Sequence, residues 1–322
     1  FTSDLTKKQV NQIMERAVMQ SERYRVMKAN GASDDEIHRA FRTPTDMSVF
    51  TYHGDIDTTM TPLDRIRYVK SFLRAGFMSM DPKTGAVKAY VGGLDYSHFM
   101  YDMAMGGRRQ VGSTIKPFLY SLAMENGFSP CDLAPNVQRT YMVAGQPWTP
   151  RNASHKRAGE MVTLKWGLAQ SSNWVSAYLM SKLNPQQFVQ LLHDYGINNP
   201  DIHPSMALCL GPCEVSVGEM VSAYTTFANN GIRTAPLFVS RIEDNEGNVI
   251  ANFQPRMNEV ISAESAYKML VELMGVVDGG TAGRLRYKYK FTGEIGAKTG
   301  TTNRNSDAWF MGFTPQLVSG CW

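Results

Sequence analysis

Ile295-Gly296-Ala297-Lys298-Thr299-Gly300-Thr301-Thr302, followed by Ala308–Thr314 and Leu317–Trp322, reads as three closing strands. Outward from them, Gly76–Met80 and Ala86–Val91 form a fourth and a fifth, joined by the turn Asp81-Pro82-Lys83-Thr84-Gly85. A further hairpin is expected at Phe238–Ile242 and Val249–Phe253, around Asn245-Glu246-Gly247-Asn248. Between the two strand regions, about 113 to 235, helical patterns dominate, broken by Gly127, Gly145-Gln146-Pro147, Gly196 and Gly211-Pro212. Ser262–Val277 is also helical. Strands near both ends with helices between them predict an α+β fold, a mainly antiparallel sheet with helices packed on it.

Ahead of this block, residues 6–29 read as one amphipathic helix, with Val10, Ile13, Met14, Ala17 and Val18 on one face and Gly31 as its stop. Ser33 and Glu36 make a capping box for a short helix ending near Phe41. Residues 43–59 look like connector or short edge strands. Thr61-Pro62 starts the next helix, with Leu63, Ile66, Val69 and Leu73 on one side. The expected division is a connector at 1–60 and one large domain at 61–322.

The 322 residues are 43% hydrophobic and 19% charged, enough apolar matter for a packed core. A net charge of +4 without a basic block argues against nucleic-acid binding. No apolar run approaches the roughly 18 residues a membrane span needs. The opening Phe1-Thr2-Ser3-Asp4 carries no signal peptide and no initiator Met, so the chain reads as a fragment. Four cysteines are too few for a disulfide scaffold. Cys209 and Cys213 are either two buried thiols or, in an oxidising compartment, a local disulfide across Gly211-Pro212. The six histidines are scattered and match no triad or metal pattern.

Three motifs carry chemistry. In Gly112-Ser113-Thr114-Ile115-Lys116-Pro117, Pro117 requires that the helix has just begun. Ser113 then sits in the first turn, where its N–H is free to bind an oxyanion, and Lys116 lies over the same face, within reach of the hydroxyl. That suits a Ser nucleophile with a Lys base. About one Ser-x-x-Lys is expected by chance in a chain this long. A second one, Ser265–Lys268, lies inside a helix and is assigned to structure. Ser171-Ser172-Asn173, between two helical runs, is either a helix cap or a hydroxyl that relays protons beside an orienting amide. In Lys298-Thr299-Gly300-Thr301-Thr302, alternation puts Thr299 and Thr301 on one face, and Gly300 lets another backbone approach. The same tripeptide at Lys83-Thr84-Gly85 is turn chemistry.

Taken in order, Ser-x-x-Lys, Ser-x-Asn and Lys-Thr-Gly resemble the signature of the penicillin-recognising serine enzymes. Arg109 to Phe118, Leu168 to Asn173, Lys298 to Thr302, Asp307-Ala308-Trp309-Phe310 and the hairpin from Asp81-Pro82 to Gly92-Gly93 are similar to the transpeptidase domain of class A penicillin-binding proteins. The likeness covers about residues 61–322. It implies a five-stranded sheet with an all-helical subdomain, and peptidoglycan stem peptides ending in D-Ala-D-Ala as substrate. Ser113 would form an acyl-enzyme, with Lys116 as base, Ser171 passing the proton to the leaving amine and Asn173 holding Lys116. Thr299, Thr301 and Lys298 would bind the substrate's terminal carboxylate, Gly300 would belong to the same substrate-binding strand, and the N–H groups of Ser113 and Thr301 would form the oxyanion hole. No metal or organic cofactor is implied, and β-lactams would be covalent inhibitors. The whole protein would carry a membrane anchor and a glycosyltransferase domain in the cell envelope, on the extracytoplasmic side of the membrane. Neither is found in this chain, which also stops inside the expected last strand, short of the family's C-terminal helix. A β-lactamase, a D,D-carboxypeptidase and a non-catalytic peptidoglycan sensor are the rivals. Against the first, no Glu-x-x-x-Asn lies between Asn173 and Lys298.

Overall fold

The computed structural model describes residues 5–322, the side chain at position 304 excepted. It divides into two compact units between Arg74 and Ala75. In the first unit the helix expected over 6–29 is two helices, Lys7–Gln20 and Glu22–Ala29. Ser21 breaks it: its backbone is extended and its hydroxyl caps the second helix by accepting from the Tyr24 N–H. Ser33 and Glu36 form the expected capping box of the helix Asp34–Arg42. Residues 43–59 contain a two-stranded ribbon, Thr45–Val49 with Ile56–Met60. The helix Pro62–Ser71 belongs to this unit, not to the larger one, because it packs on Lys7–Gln20 and Asp34–Arg42. Phe50, Tyr68 and Phe72 meet edge to face beside it, and Tyr68 donates to the Phe50 carbonyl.

The second unit is built on the sheet. Its strands are β1 (Phe77–Met80), β2 (Val87–Val91), β3 (Gly296–Thr301), β4 (Ala308–Phe313) and β5 (Val318–Cys321). They run in the order β3-β4-β5-β1-β2, every pair antiparallel. The last strand in sequence is thus the middle of the sheet, and reciprocal bonds between Gly76 and Trp322 extend its pairing with β1. β3 lies at one edge with Lys298 and Gly300 turned inward and Thr299 and Thr301 on the more exposed face.

The helical layer contains α1 (Lys116–Glu125), α2 (Leu164–Ala169), α3 (Asn173–Met180), α4 (Val217–Ala228) and α5 (Ala263–Gly279). α1 is buried on every side except at Glu125, as a helix without a polar face must be. Phe118, Tyr195, Tyr224 and Phe227 interlock around it, with ring centroids 4.6 Å apart for Phe118–Tyr195. α4 packs on the sheet, and α5 bridges β3 to α1 and α2. Residues 130–163 are less helical than expected. They hold two short ribbons, Leu133–Pro135 with Met161–Thr163 and Tyr141–Val143 with Gln146–Trp148.

Cys209 and Cys213 are free, buried thiols, and no disulfide joins them. The turn between them has another task. The Gly211 and Cys213 carbonyls accept the Gly112 and Val111 N–H groups, so its backbone is fixed against the segment that leads into α1.

Candidate active site

Ser113 sits in a short 3-10 turn, Gly112–Ile115, that runs into α1 with Pro117 in its first turn. Gly112 is needed there. Its φ is +53°, and an added Cβ would lie 3.0 Å from the Thr301 carbonyl oxygen. Behind it, a Cβ on Gly211 would stand 2.1 Å from the Gly112 oxygen. The turn is further pinned by Thr114, whose hydroxyl donates to the Val111 carbonyl while its own carbonyl accepts from Tyr224.

The buried Lys116 side chain runs from α1 to the turn between α2 and α3. Its Nζ donates to the Ser171 carbonyl at 2.7 Å and to Asn173 Oδ1 at 2.6 Å, with Ser171 Oγ at 3.3 Å. The expected contact with the Ser113 hydroxyl is not among its hydrogen bonds to described residues; the amine is turned to Ser171 and Asn173. Burial lowers its pKa to about 7. Lys298, equally buried on β3, donates to Ser171 Oγ at 3.0 Å and to the Thr299 carbonyl at 2.8 Å. Burial, then the charge of Lys116, holds its pKa well below the usual lysine value. The neutral form of Lys116 can keep its two short donations and present a lone pair. Ser171 Oγ can then accept from Lys298 and donate to Lys116, a two-step path for a proton.

Ser171 reaches both amines because its φ is +55°, a left-handed conformation costly for any residue but Gly. Gly300 explains the close fit of strand and turn. An added Cβ would come within 2.8 Å of the Val111 carbonyl oxygen and of Thr114 Cγ2. Ser113, Ser171, Asn173, Thr299 and Thr301 line one cleft of about 340 Å³, together with Asn152, Lys156, Trp166 and Thr281. A second cleft of about 220 Å³ shares Ser113, Asn173 and Thr301 and extends past Trp148, Gln110 and Leu210. No carboxylate lies among the described residues lining either one, and no histidine does.

Two contributors, Thr281 and Asn152, escape sequence reasoning, and a third, Asp307, enters it only as part of the Asp307–Phe310 likeness with no role attached. Thr281, after α5, hydrogen-bonds Thr299 through their hydroxyls at 2.7 Å. Asn152 accepts from the backbone of Asn173, and the Arg151 carbonyl accepts from Asn173 Nδ2. Asp307 ties down the β3–β4 turn by accepting from Arg109, Trp322 and Thr302. Asn152 follows a Pro in a segment without periodicity, and its partners are some twenty residues away, so no spacing signals it.

Ser265 and Lys268, the second Ser-x-x-Lys, stay within α5, where Lys268 pairs with Glu264. Among the described residues no group of three His, Cys, Asp or Glu side chains could hold a metal ion, and no helix is long and apolar enough to cross a membrane.

Comparison with known proteins agrees with this geometry. The family model described as the penicillin-binding protein transpeptidase domain matches residues 75–318, and that of the penicillin-binding protein middle domain matches residues 1–73. Penicillin-binding protein 1A of Aquifex aeolicus is 33% identical over 78% of this chain, and that of Neisseria lactamica 34% identical over 77%. The match spans only 34% and 32% of those proteins' lengths. The crystal structure of penicillin-binding protein 1A from Haemophilus influenzae superposes with a TM-score of 0.73 at 27% identity, covering 77% of this chain and 42% of that one. PonA1 of Mycobacterium tuberculosis in complex with penicillin V shares the fold at a TM-score of 0.66 and 22% identity, over 97% of this chain and 83% of that one. Motifs, fold and matched regions coincide, and the chain belongs to the penicillin-binding protein transpeptidase family.

Proposed function

We propose that this chain is a serine D,D-transpeptidase that cross-links peptidoglycan stem peptides and is acylated by β-lactams. Ser113 Oγ attacks the carbonyl of the penultimate D-Ala. Its proton passes to neutral Lys116, and the Ser113 and Thr301 N–H groups hold the oxyanion. The C–N bond breaks, and the leaving D-Ala amine takes a proton delivered through Ser171. The amine of a second stem peptide then attacks the ester, releasing Ser113 and forming the cross-link. Thr299 and Thr301, which line the cleft, hold the terminal carboxylate, with the buried Lys298 amine acting from the inner face of the strand; Gly300 admits the nucleophile turn beside them, and the donor peptide lies along the open edge of β3. The reaction needs no metal and no organic cofactor.

The observation that carries this reading is the pair of buried amines that share Ser171 Oγ, a residue lining the same cleft as Ser113. Two clefts share Ser113, and we assign one to each of the two peptides that transfer requires. By the same resemblance we propose that the whole protein is an envelope enzyme, anchored in the membrane and carrying a glycosyltransferase domain, that works on the extracytoplasmic side. Intact-mass measurement after incubation with benzylpenicillin tests the reading. One adduct per chain that maps to Ser113 and vanishes in Ser113→Ala is expected; an adduct elsewhere, or none, overturns it.

A further inference from the structure

We propose that Asn152 is a positioning residue for acyl transfer, holding from outside the turn that carries Ser171 and Asn173. The inference rests on the transpeptidase reading above. The start of α3 leaves four backbone N–H groups without helical partners. Two of these, on Ser172 and Val175, are served close by: the Ser172 N–H donates to the Gly167 carbonyl, and the Ser172 hydroxyl accepts from the Val175 N–H. The other two are served by a residue far back in the chain. Asn152 Oδ1 accepts the Asn173 N–H at 2.6 Å and the Trp174 N–H at 3.3 Å. Its Nδ2 donates to Ser172 Oγ at 3.2 Å. One side chain therefore fixes the backbone of two residues and the orientation of the cap.

Asn152 is itself held in place. Ser172 Oγ donates to Oδ1 of the buried Asn136 at 2.9 Å. Asn136 Nδ2 in turn donates to the Lys156 and Arg157 carbonyls of the loop that carries Asn152. The loop and the turn are thus stitched together by two asparagines and a serine, all with partners.

The consequence is mechanical. Ser171 is held in a left-handed conformation with its carbonyl and hydroxyl both directed at Lys116, and Asn173 Oδ1 is the third group around that amine. A tilt of the first turn of α3 moves all three acceptors together. Misplacement of about 1 Å in such a site costs on the order of 10²-fold in rate. The sequence hides this because Asn152 belongs to no motif, and the cap residue Ser172 looks sufficient by itself.

Replacing Asn152 by Asp separates positioning from folding. An Asp keeps the acceptor for both N–H groups and the helix N-terminus favours its charge, while the donation from Nδ2 to Ser172 Oγ is given up. It also places a carboxylate on the backbone of Asn173, whose Oδ1 holds Lys116; the other titratable groups coupled to that amine are Lys298 and the buried Cys209 thiol. The carboxylate favours the ammonium form, so the acid limb of the acylation profile should move to higher pH by about one unit.

The experiment is stopped-flow acylation by a chromogenic cephalosporin across pH 5–9, with burst amplitude counting competent sites and burst rate reporting their geometry. Asn152→Ala is expected to keep most of its amplitude and lose about 10²-fold in rate. Asn152→Asp is expected to recover to within about tenfold of wild type, with its acid limb displaced upward. A wild-type rate in Asn152→Ala, a loss confined to amplitude, or an unmoved limb in Asn152→Asp overturns the proposal. If Asn152→Ala does not fold, the limb of Asn152→Asp decides alone. A wild-type chain that takes no adduct counts against the transpeptidase reading and not against Asn152.

Discussion

Lys298 Nζ donates to Ser171 Oγ across 3.0 Å, joining the edge strand of the sheet to the turn between two helices. The same hydroxyl stands 3.3 Å from Lys116 Nζ. Two ammonium groups so close, both buried, cannot comfortably be charged together. Burial lowers both, and at Lys298 the charge of Lys116 adds to it. The geometry therefore makes a neutral amine available near neutral pH, which acyl transfer from a serine requires.

The first prediction concerns pH. With Lys116 titrating at about 7, the second-order rate of penicillin acylation should rise with pH through that value and level off above it. The sign follows from the chemistry: below the pKa the amine is an ammonium and holds no lone pair for the Ser113 proton. Lys116→Arg keeps the positive charge but cannot deprotonate, and should lose at least about 10³-fold. A flat profile between pH 5 and 9, or an active Lys116→Arg variant, would rule out Lys116 as the base.

The second concerns the turn between β3 and β4. The Asp307 carboxylate is buried, whereas its partner Arg109 is 41% exposed. Asp307 also accepts from Thr302 and Trp322, and Arg109 lies over the Trp322 ring at 4.8 Å. Asp307→Ala leaves three donors without their acceptor and should cost about 3 kcal/mol. Arg109→Ala should cost less, about 1–2 kcal/mol, because the buried carboxylate keeps Thr302 and Trp322 as donors. Urea unfolding of the two variants checks the order, and a larger loss in Arg109→Ala would contradict it.

What could be read from the sequence follows from what is local. Pro117 fixes the start of α1, and hence Ser113 and Lys116, because ring geometry acts within one turn. Strand alternation places Lys298 apart from Thr299 for the same reason. Ser21 is the counter-example. Periodicity runs straight through it, but its hydroxyl caps the next helix and breaks the pattern. The domain boundary also escaped, because amphipathic spacing in Pro62–Ser71 says that a face is buried and not against which partner. Asn152 and Thr281 are invisible for that reason too: their partners are distant in sequence. Glu272 was legible in principle, since it falls in the same stripe as Met269, Leu273 and Val276, where an acid is out of place.

The third prediction follows from that acid. Glu272 is fully buried on α5, and neither carboxylate oxygen has a hydrogen-bond partner among the described residues; its charge opposes ionisation of the buried Tyr120. Burial raises its pKa to about 8 from an ordinary value of 4.5, with Lys165 opposing. The folded state thus holds a proton that the unfolded chain has released, so this contribution to stability is greatest below pH 4.5 and is lost as pH rises through 8. The loss across that window is about 5 kcal/mol at most. Glu272→Met should be more stable than wild type at pH 9 and nearly equal to it at pH 5. Parallel pH profiles for the two proteins in urea unfolding would refute the argument.

The last prediction separates a target of β-lactams from an enzyme that destroys them. Acylation needs one base beside Ser113, and Lys116 can supply it. Hydrolysis of the resulting ester needs a second base aimed at a water. The described residues lining both clefts are hydroxyls, amides, apolar side chains and one exposed lysine, Lys156, with no carboxylate among them. Lys116 is held by Ser171 and Asn173 on one side of the site and cannot also reach the opposite side of the ester. The penicillin ring system stays attached after acylation and covers the path an incoming amine would take. Losing a general base costs roughly 10²–10⁴-fold in rate. The penicilloyl-enzyme should therefore persist for many minutes. With a chromogenic cephalosporin in excess, colour should appear as one equivalent per chain in a single burst, followed by a nearly flat line. Sustained release of several equivalents per second would reveal a water-activating group in the cleft and make the chain a β-lactamase.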